Sequence, residues 1–116
     1  MTRSERSRLT DIRDRIDAIS VAEPLLNDGL TSDTGGIAFD AILYSLVVIG
    51  EAVKHLSSEV RSRHSHLPWS EITRLRDRLA HHYTQVDPSI IRRTIDQPLR
   101  DLRTVVEIEL ERPPSA

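Results

Sequence analysis

One run of residues limits what this chain can fold into more than any other. From Ile37 to Ile49 the sequence would be apolar on nearly every side of a helix, with Asp40, Tyr44 and Ser45 as its polar members. A helix apolar all round is buried, either inside its own domain or against a second protomer. With 116 residues the chain is one domain with limited capacity for burial. Its other segments cannot easily wrap such a helix by themselves, so the run predicts a central helix and points to dimerisation. At about 13 residues, and with polar members, it is too short to span a bilayer of ordinary thickness.

The rest of the chain has helical periodicity. Leu9, Ile12, Ile16 and Ile19 recur at intervals of three and four, predicting a first helix over residues 5 to about 22. Glu23-Pro24 and the turn cluster Asn27-Asp28-Gly29 end it, and residues 31–36 continue the connection with capping side chains. The central helix is expected from about Ile37 to Val60, amphipathic after Glu51, with Ala52, Val53 and Leu56 on one side. Arg61 to Leu67 reads as a polar, histidine-rich loop closed by Pro68. Ser70 is the expected cap of a third helix from Glu71, which turns Ile72, Leu75 and Leu79 inward. Asp87-Pro88 starts a fourth helix reaching about Glu111, and Pro98 should kink or break it near Gln97. Residues 112–116 form a frayed tail. No alternating strand pattern and no repeat is found, which gives a single all-α domain, a four- to five-helix bundle with its core over about residues 5–111.

Composition removes several function classes. Four aromatic residues are too few for a sheet that reads RNA by stacking bases on exposed rings. A net charge of −2 gives no global field for nucleic acid. Between Lys54 and His82, however, six cations face three carboxylates, and all five histidines lie there. With no cysteine, disulfides and thiolate metal sites are excluded. His64-Ser65-His66 and His81-His82 lack a carboxylate or cysteine at a recognisable ligand spacing, so neither a metal nor a cofactor is expected. His55 reads as a surface residue and Trp69 as a core anchor. The charged start Met1-Thr2-Arg3-Ser4-Glu5-Arg6 is no secretory signal, which makes the expected location cytoplasmic.

The chemistry concentrates in Arg76-Asp77-Arg78-Leu79-Ala80-His81-His82-Tyr83. Arginine offers a fixed fork for phosphate, histidine moves protons near neutral pH, and tyrosine adds a hydroxyl that can be modified. On an ideal helix Arg76 and Tyr83 share a face, whereas His81 is turned roughly 140° from Arg76. Either the helix unwinds near Ala80–His81 or the two groups meet through a partner chain; Arg78 with His81 or His82 is an ordinary helical pair. A plain solvated helix end accounts for the same residues.

This stretch resembles the R-x4-H-x-Y motif of HepT-like toxins in the HEPN ribonuclease superfamily. Val48-Ile49-Gly50-Glu51-Ala52-Val53-Lys54 resembles that family's IGEA-K segment, Trp69 to Ile72 its W-x-x-I lead-in, and Asp87 to Leu99 its following helix with a late proline. The likeness covers roughly residues 9 to 110, in order. It departs at Tyr44-Ser45, where members often carry basic residues, and so leaves substrate contacts from the second helix unassigned. The resemblance implies a HEPN-like bundle forming a two-fold homodimer, with two motifs facing across one cleft. It implies metal-independent RNA cleavage with Arg76 and His81 as the catalytic pair, and support from Asp77, Arg78, His82 and Tyr83. It also implies an MntA-like nucleotidyltransferase antitoxin that adenylylates the motif tyrosine, Tyr83. The competing expectation is a non-catalytic helical module that binds a nucleotidyltransferase or RNA.

Overall fold

The computed structural model describes residues 3–82 and 85–113. Among them are six α-helices: α1 (Arg3–Ala22), α2 (Asp33–Lys54), α3 (Ser58–Arg63), α4 (Trp69–His81), α5 (Pro88–Thr94) and α6 (Gln97–Glu111), with a 3-10 helix (Glu23–Asp28) after α1. No strand occurs among the described residues. Helix α2 is the spine. Helix α1, the 3-10 helix and α4 pack on it, and α6 packs on α1. The body is elongated, 52 × 24 × 22 Å.

The periodic residues of α1 do what their spacing predicts: Leu9, Ile12, Ile16 and Ile19 are buried, each contributing on the order of 2 kcal/mol relative to exposure. Helix α2 differs from expectation at both ends. It starts at Asp33, because the Ser32 hydroxyl accepts the Gly35 N–H and caps it. It ends at Lys54, because Ser57 caps a separate helix by accepting the Val60 N–H. At 22 residues α2 is therefore longer than its apolar run and, by length and composition alone, sufficient to cross a membrane. Ten of its residues are buried inside the fold, which makes it a core helix here.

Its other side is bare. Ile37 is 70% and Tyr44 62% exposed, Ala41 is exposed, and Val48 is half-buried on the same stripe. At the open end of this stripe Val21 and Leu25 add further exposed apolar surface.

Two more boundaries need correction. Helix α4 begins at Trp69 after Pro68, with no side-chain cap, so Ser70 is a helical residue. The segment Arg61–Leu67 is partly helical, and His64 is buried rather than solvated. His64 Nε2 donates to Glu109 Oε2 at 2.7 Å, and Arg63 donates to Glu109 Oε1 at 2.5 Å. Burial pushes the Glu109 carboxyl upward, but the bonds from Arg63 and His64 outweigh it and hold the group below its ordinary range. The Trp69 indole N–H is shared between the Arg61 and His64 carbonyls. Together these bonds anchor the start of α4 through His64 to the far end of α6.

Toward the C-terminus the expected punctuation holds. Asp87 accepts the Ser89 N–H and Pro88 opens α5; the chain breaks at Ile95-Asp96, and Pro98 lies in the first turn of α6. An apolar cavity of about 170 Å³ remains between α2, α4 and α6, lined in part by the half-buried Ile72 and Leu75.

Candidate active site

Helix α4 is held against α2 at one point of closest approach. Gly50 is buried there, and a Cβ in its place would stand 2.2 Å from Arg76 Cβ and 2.7 Å from Arg76 Cγ. Only the absence of a side chain lets the arginine pass. Leu79, fully buried, anchors the next turn of the same inward face.

The Arg76 side chain is 24% exposed and lies between carboxylates from two helices. One terminal nitrogen is 2.9 Å from Glu51 Oε2, and the other is 3.1 Å from Asp77 Oδ1. Lys54 donates to the same Asp77 oxygen at 2.6 Å. The bond from Lys54, then that from Arg76, keeps the Asp77 carboxyl below its usual range. On its other oxygen Glu51 meets His55 Nε2 at 3.2 Å. Two cations and two carboxylates thus interlock. A shallow groove beside Arg76 is lined by Arg8 and Asp11 of α1 and Val47, Val48, Glu51 and Ala52 of α2.

His81 is elsewhere. Helix α4 continues as α-helix through His81, and the His82 N–H caps it by donating to the Arg78 carbonyl at 2.8 Å. The helix does not unwind before His81, so the roughly 140° between Arg76 and His81 stands. Arg78, His81 and His82 are exposed on the outer side of α4. Tyr83 lies outside the described residues. Of the residues singled out from the sequence, the structure joins Arg76 with Asp77 and groups Arg78 with His81 on another face. Glu51, Lys54 and Arg8 were not among the candidates. The first two lie in the segment that carried the family resemblance, and nothing in the local sequence marked Arg8. No group of three or more metal-ligating side chains occurs among the described residues.

The family model "Ribonuclease HepT-like" matches residues 9–108. This chain belongs to the HepT-like family. A relative from Thermococcus cleftensis, named "Probable ribonuclease HepT", is 30% identical over 105 residues, covering 89% of this chain and 93% of its own. A relative from Caldanaerobacter subterraneus subsp. tengcongensis, named "Putative RNase TTE0752", is 43% identical over 72 residues, or 62% of this chain and 64% of that protein. No solved structure matches. The HepT-like match spans α1 to α6, so the α2–α4 contact at Gly50 and the whole described part of the motif fall within it.

Proposed function

We propose that this protein is a metal-independent endoribonuclease working as a two-fold homodimer in the cytoplasm. It is the toxin of a pair whose antitoxin is an MntA-like nucleotidyltransferase. The observation that carries the reading is the split of the motif over two faces of one unbroken helix. Cleaving RNA through its own 2′-hydroxyl needs a base for that hydroxyl, an acid for the leaving 5′-oxygen, and positive charge around the phosphorane. One chain offers a single motif histidine, turned away from its own Arg76. Two chains related by a two-fold axis offer two imidazoles and two guanidiniums to one cleft. The bare stripe Ile37–Ala41–Tyr44–Val48 supports such pairing, because it runs along α2 to Glu51 and hence to Arg76.

In this mechanism His81 of one chain takes the 2′-hydroxyl proton as the oxygen attacks phosphorus. His81 of the other protonates the departing 5′-oxygen, leaving a 2′,3′-cyclic phosphate. Arg76 swings from Glu51 to the non-bridging oxygens, with Asp77, Arg78 and His82 holding the surrounding charge. Adenylylation of Tyr83 adds negative charge and bulk where phosphate enters, which accounts for neutralisation by the antitoxin.

The test is cleavage of RNA by purified protein in EDTA, beside His81→Ala and Arg76→Ala. Wild type should yield cyclic phosphate ends, and both variants should lose cleavage and toxicity while remaining folded dimers. A folded, unmodified dimer that leaves RNA intact would overturn the reading in favour of a binding module.

A further inference from the structure

Helix α4 presents a second basic face whose charges are not compensated. Arg74, Arg78 and His81 lie within about 60° of one another around the helix, at steps of roughly 6 Å and 4.5 Å along its axis. All three are exposed, and none of their side chains has a hydrogen-bond or ion-pair partner among the described residues. Arg76 on the inner face, by contrast, is held by Glu51 and Asp77. Arg74 and Arg78 line a groove between α4 and α5 whose floor is Leu75, Ile90 and Thr94. Glu71 stands at the N-terminal end of the groove. Its carboxylate repels an anion there and leaves the run from Arg74 toward His81 as the attractive stretch.

We propose that this groove is a track for the backbone of single-stranded RNA, with Arg74 and Arg78 gripping successive phosphates beside the one presented to His81. The inference rests on the ribonuclease reading for the role of His81, but not for the binding itself. The occupant follows from the chemistry. Guanidinium forks match phosphate oxygens, their spacing along the helix is comparable to one nucleotide step, and a floor without aromatic rings offers no base stacking. The track should therefore bind without sequence preference, and its affinity should fall steeply with salt. Because His81 shares this face, a strand on the track passes its imidazole.

The experiment measures binding of a fully 2′-O-methyl RNA oligonucleotide, which cannot be cleaved, across a salt series. It compares wild type, Arg74→Ala/Arg78→Ala, Arg74→Lys/Arg78→Lys, and Arg92→Ala, an exposed arginine of α5. The double alanine variant should bind roughly tenfold or more weakly, and the slope of log affinity on log salt should shrink by about 1.4, from ~0.7 per lost contact. The lysine variant should keep most of the slope, and Arg92→Ala should match wild type. On cleavable RNA the double alanine variant should raise KM, and its melting temperature should stay at the wild-type value. Unchanged affinity and slope in the double alanine variant would overturn the track, as would an equal loss in Arg92→Ala. If wild type cleaves nothing while the binding pattern holds, the ribonuclease reading fails and the track stands. If cleavage depends on His81 but not on Arg74 and Arg78, the track fails together with the supporting role of Arg78, while the role of His81 stands.

Discussion

The contact most open to a single-atom test is Gly50 against Arg76. In Gly50→Ala the new methyl would stand 2.2 Å from Arg76 Cβ, whereas carbon atoms rest about 3.5–4.0 Å apart. The obstacle is the root of a side chain on a packed helix, not the end of a flexible one, so α2 and α4 must separate by more than about 1 Å. Overpacking of this kind costs about 1–3 kcal/mol, and the better helix propensity of alanine returns roughly 1 kcal/mol. The net loss should be about 0–2 kcal/mol, or up to roughly 10 °C in Tm. Activity should fall further than stability, because moving Arg76 by about 1 Å is enough to cost up to ~100-fold in rate. Thermal melting and RNA cleavage well below Tm check the two effects separately. Gly36→Ala is the control: its methyl would meet only the Leu30 carbonyl, at 3.2 Å. If Gly50→Ala melted at or above wild type and cleaved as well, the close approach would not be what sets Arg76.

Two further substitutions probe the charges. Glu51 competes with phosphate for Arg76 across partly exposed surface, a pair worth at most about 1 kcal/mol. Glu51→Gln should therefore lower KM for RNA about two- to fivefold with kcat little changed, and a fall in kcat at constant KM would show instead that Glu51 positions the arginine. Glu109→Gln leaves Arg63 and His64 without their carboxylate and should cost about 2–3 kcal/mol at neutral pH by urea unfolding. Because Glu109 titrates below its ordinary range in the folded protein, its contribution is complete above that range and drains away as the pH falls through and below it. Wild type should lose stability on acidification more steeply than Glu109→Gln, and parallel curves would rule the linkage out.

What the sequence disclosed and what it hid separate along physical lines. Signals that act over a few residues were legible. The three- and four-residue recurrence from Leu9 to Ile19 marked α1, Asp87-Pro88 marked the start of α5, and Pro98 marked a break. Competition between two adequate local signals was harder to judge. Ser57 caps α3 and divides what reads as one helix, while Pro68 rather than Ser70 precedes α4. Contacts between distant segments could not be read at all. Glu109 on an amphipathic helix looks solvated, and only the fold brings it to His64, 45 positions away in sequence. The site divides in the same way. The motif residues were visible as a cluster, and the rotation between Arg76 and His81 followed from helix geometry alone. The clamp from Glu51 and Lys54, and the need for a bare backbone at Gly50, required α2 and α4 side by side.

The anchoring of α4 through His64 to Glu109 has a consequence for synthesis. A chain leaving the ribosome forms α1 and α2 early, but the carboxylate that fixes His64 emerges 45 residues after it, in α6. Until then Arg63 and His64 lack their counter-ion, and the lead-in to α4 is not tied to the rest of the bundle. Domains are generally completed as units during translation, and here the completing residue lies in α6, well after the motif. A message cut short before codon 109 would therefore yield a chain that carries every motif residue without the brace that sets their helix. Truncated products should be open to proteolysis near residues 61–68, whereas the finished chain resists it.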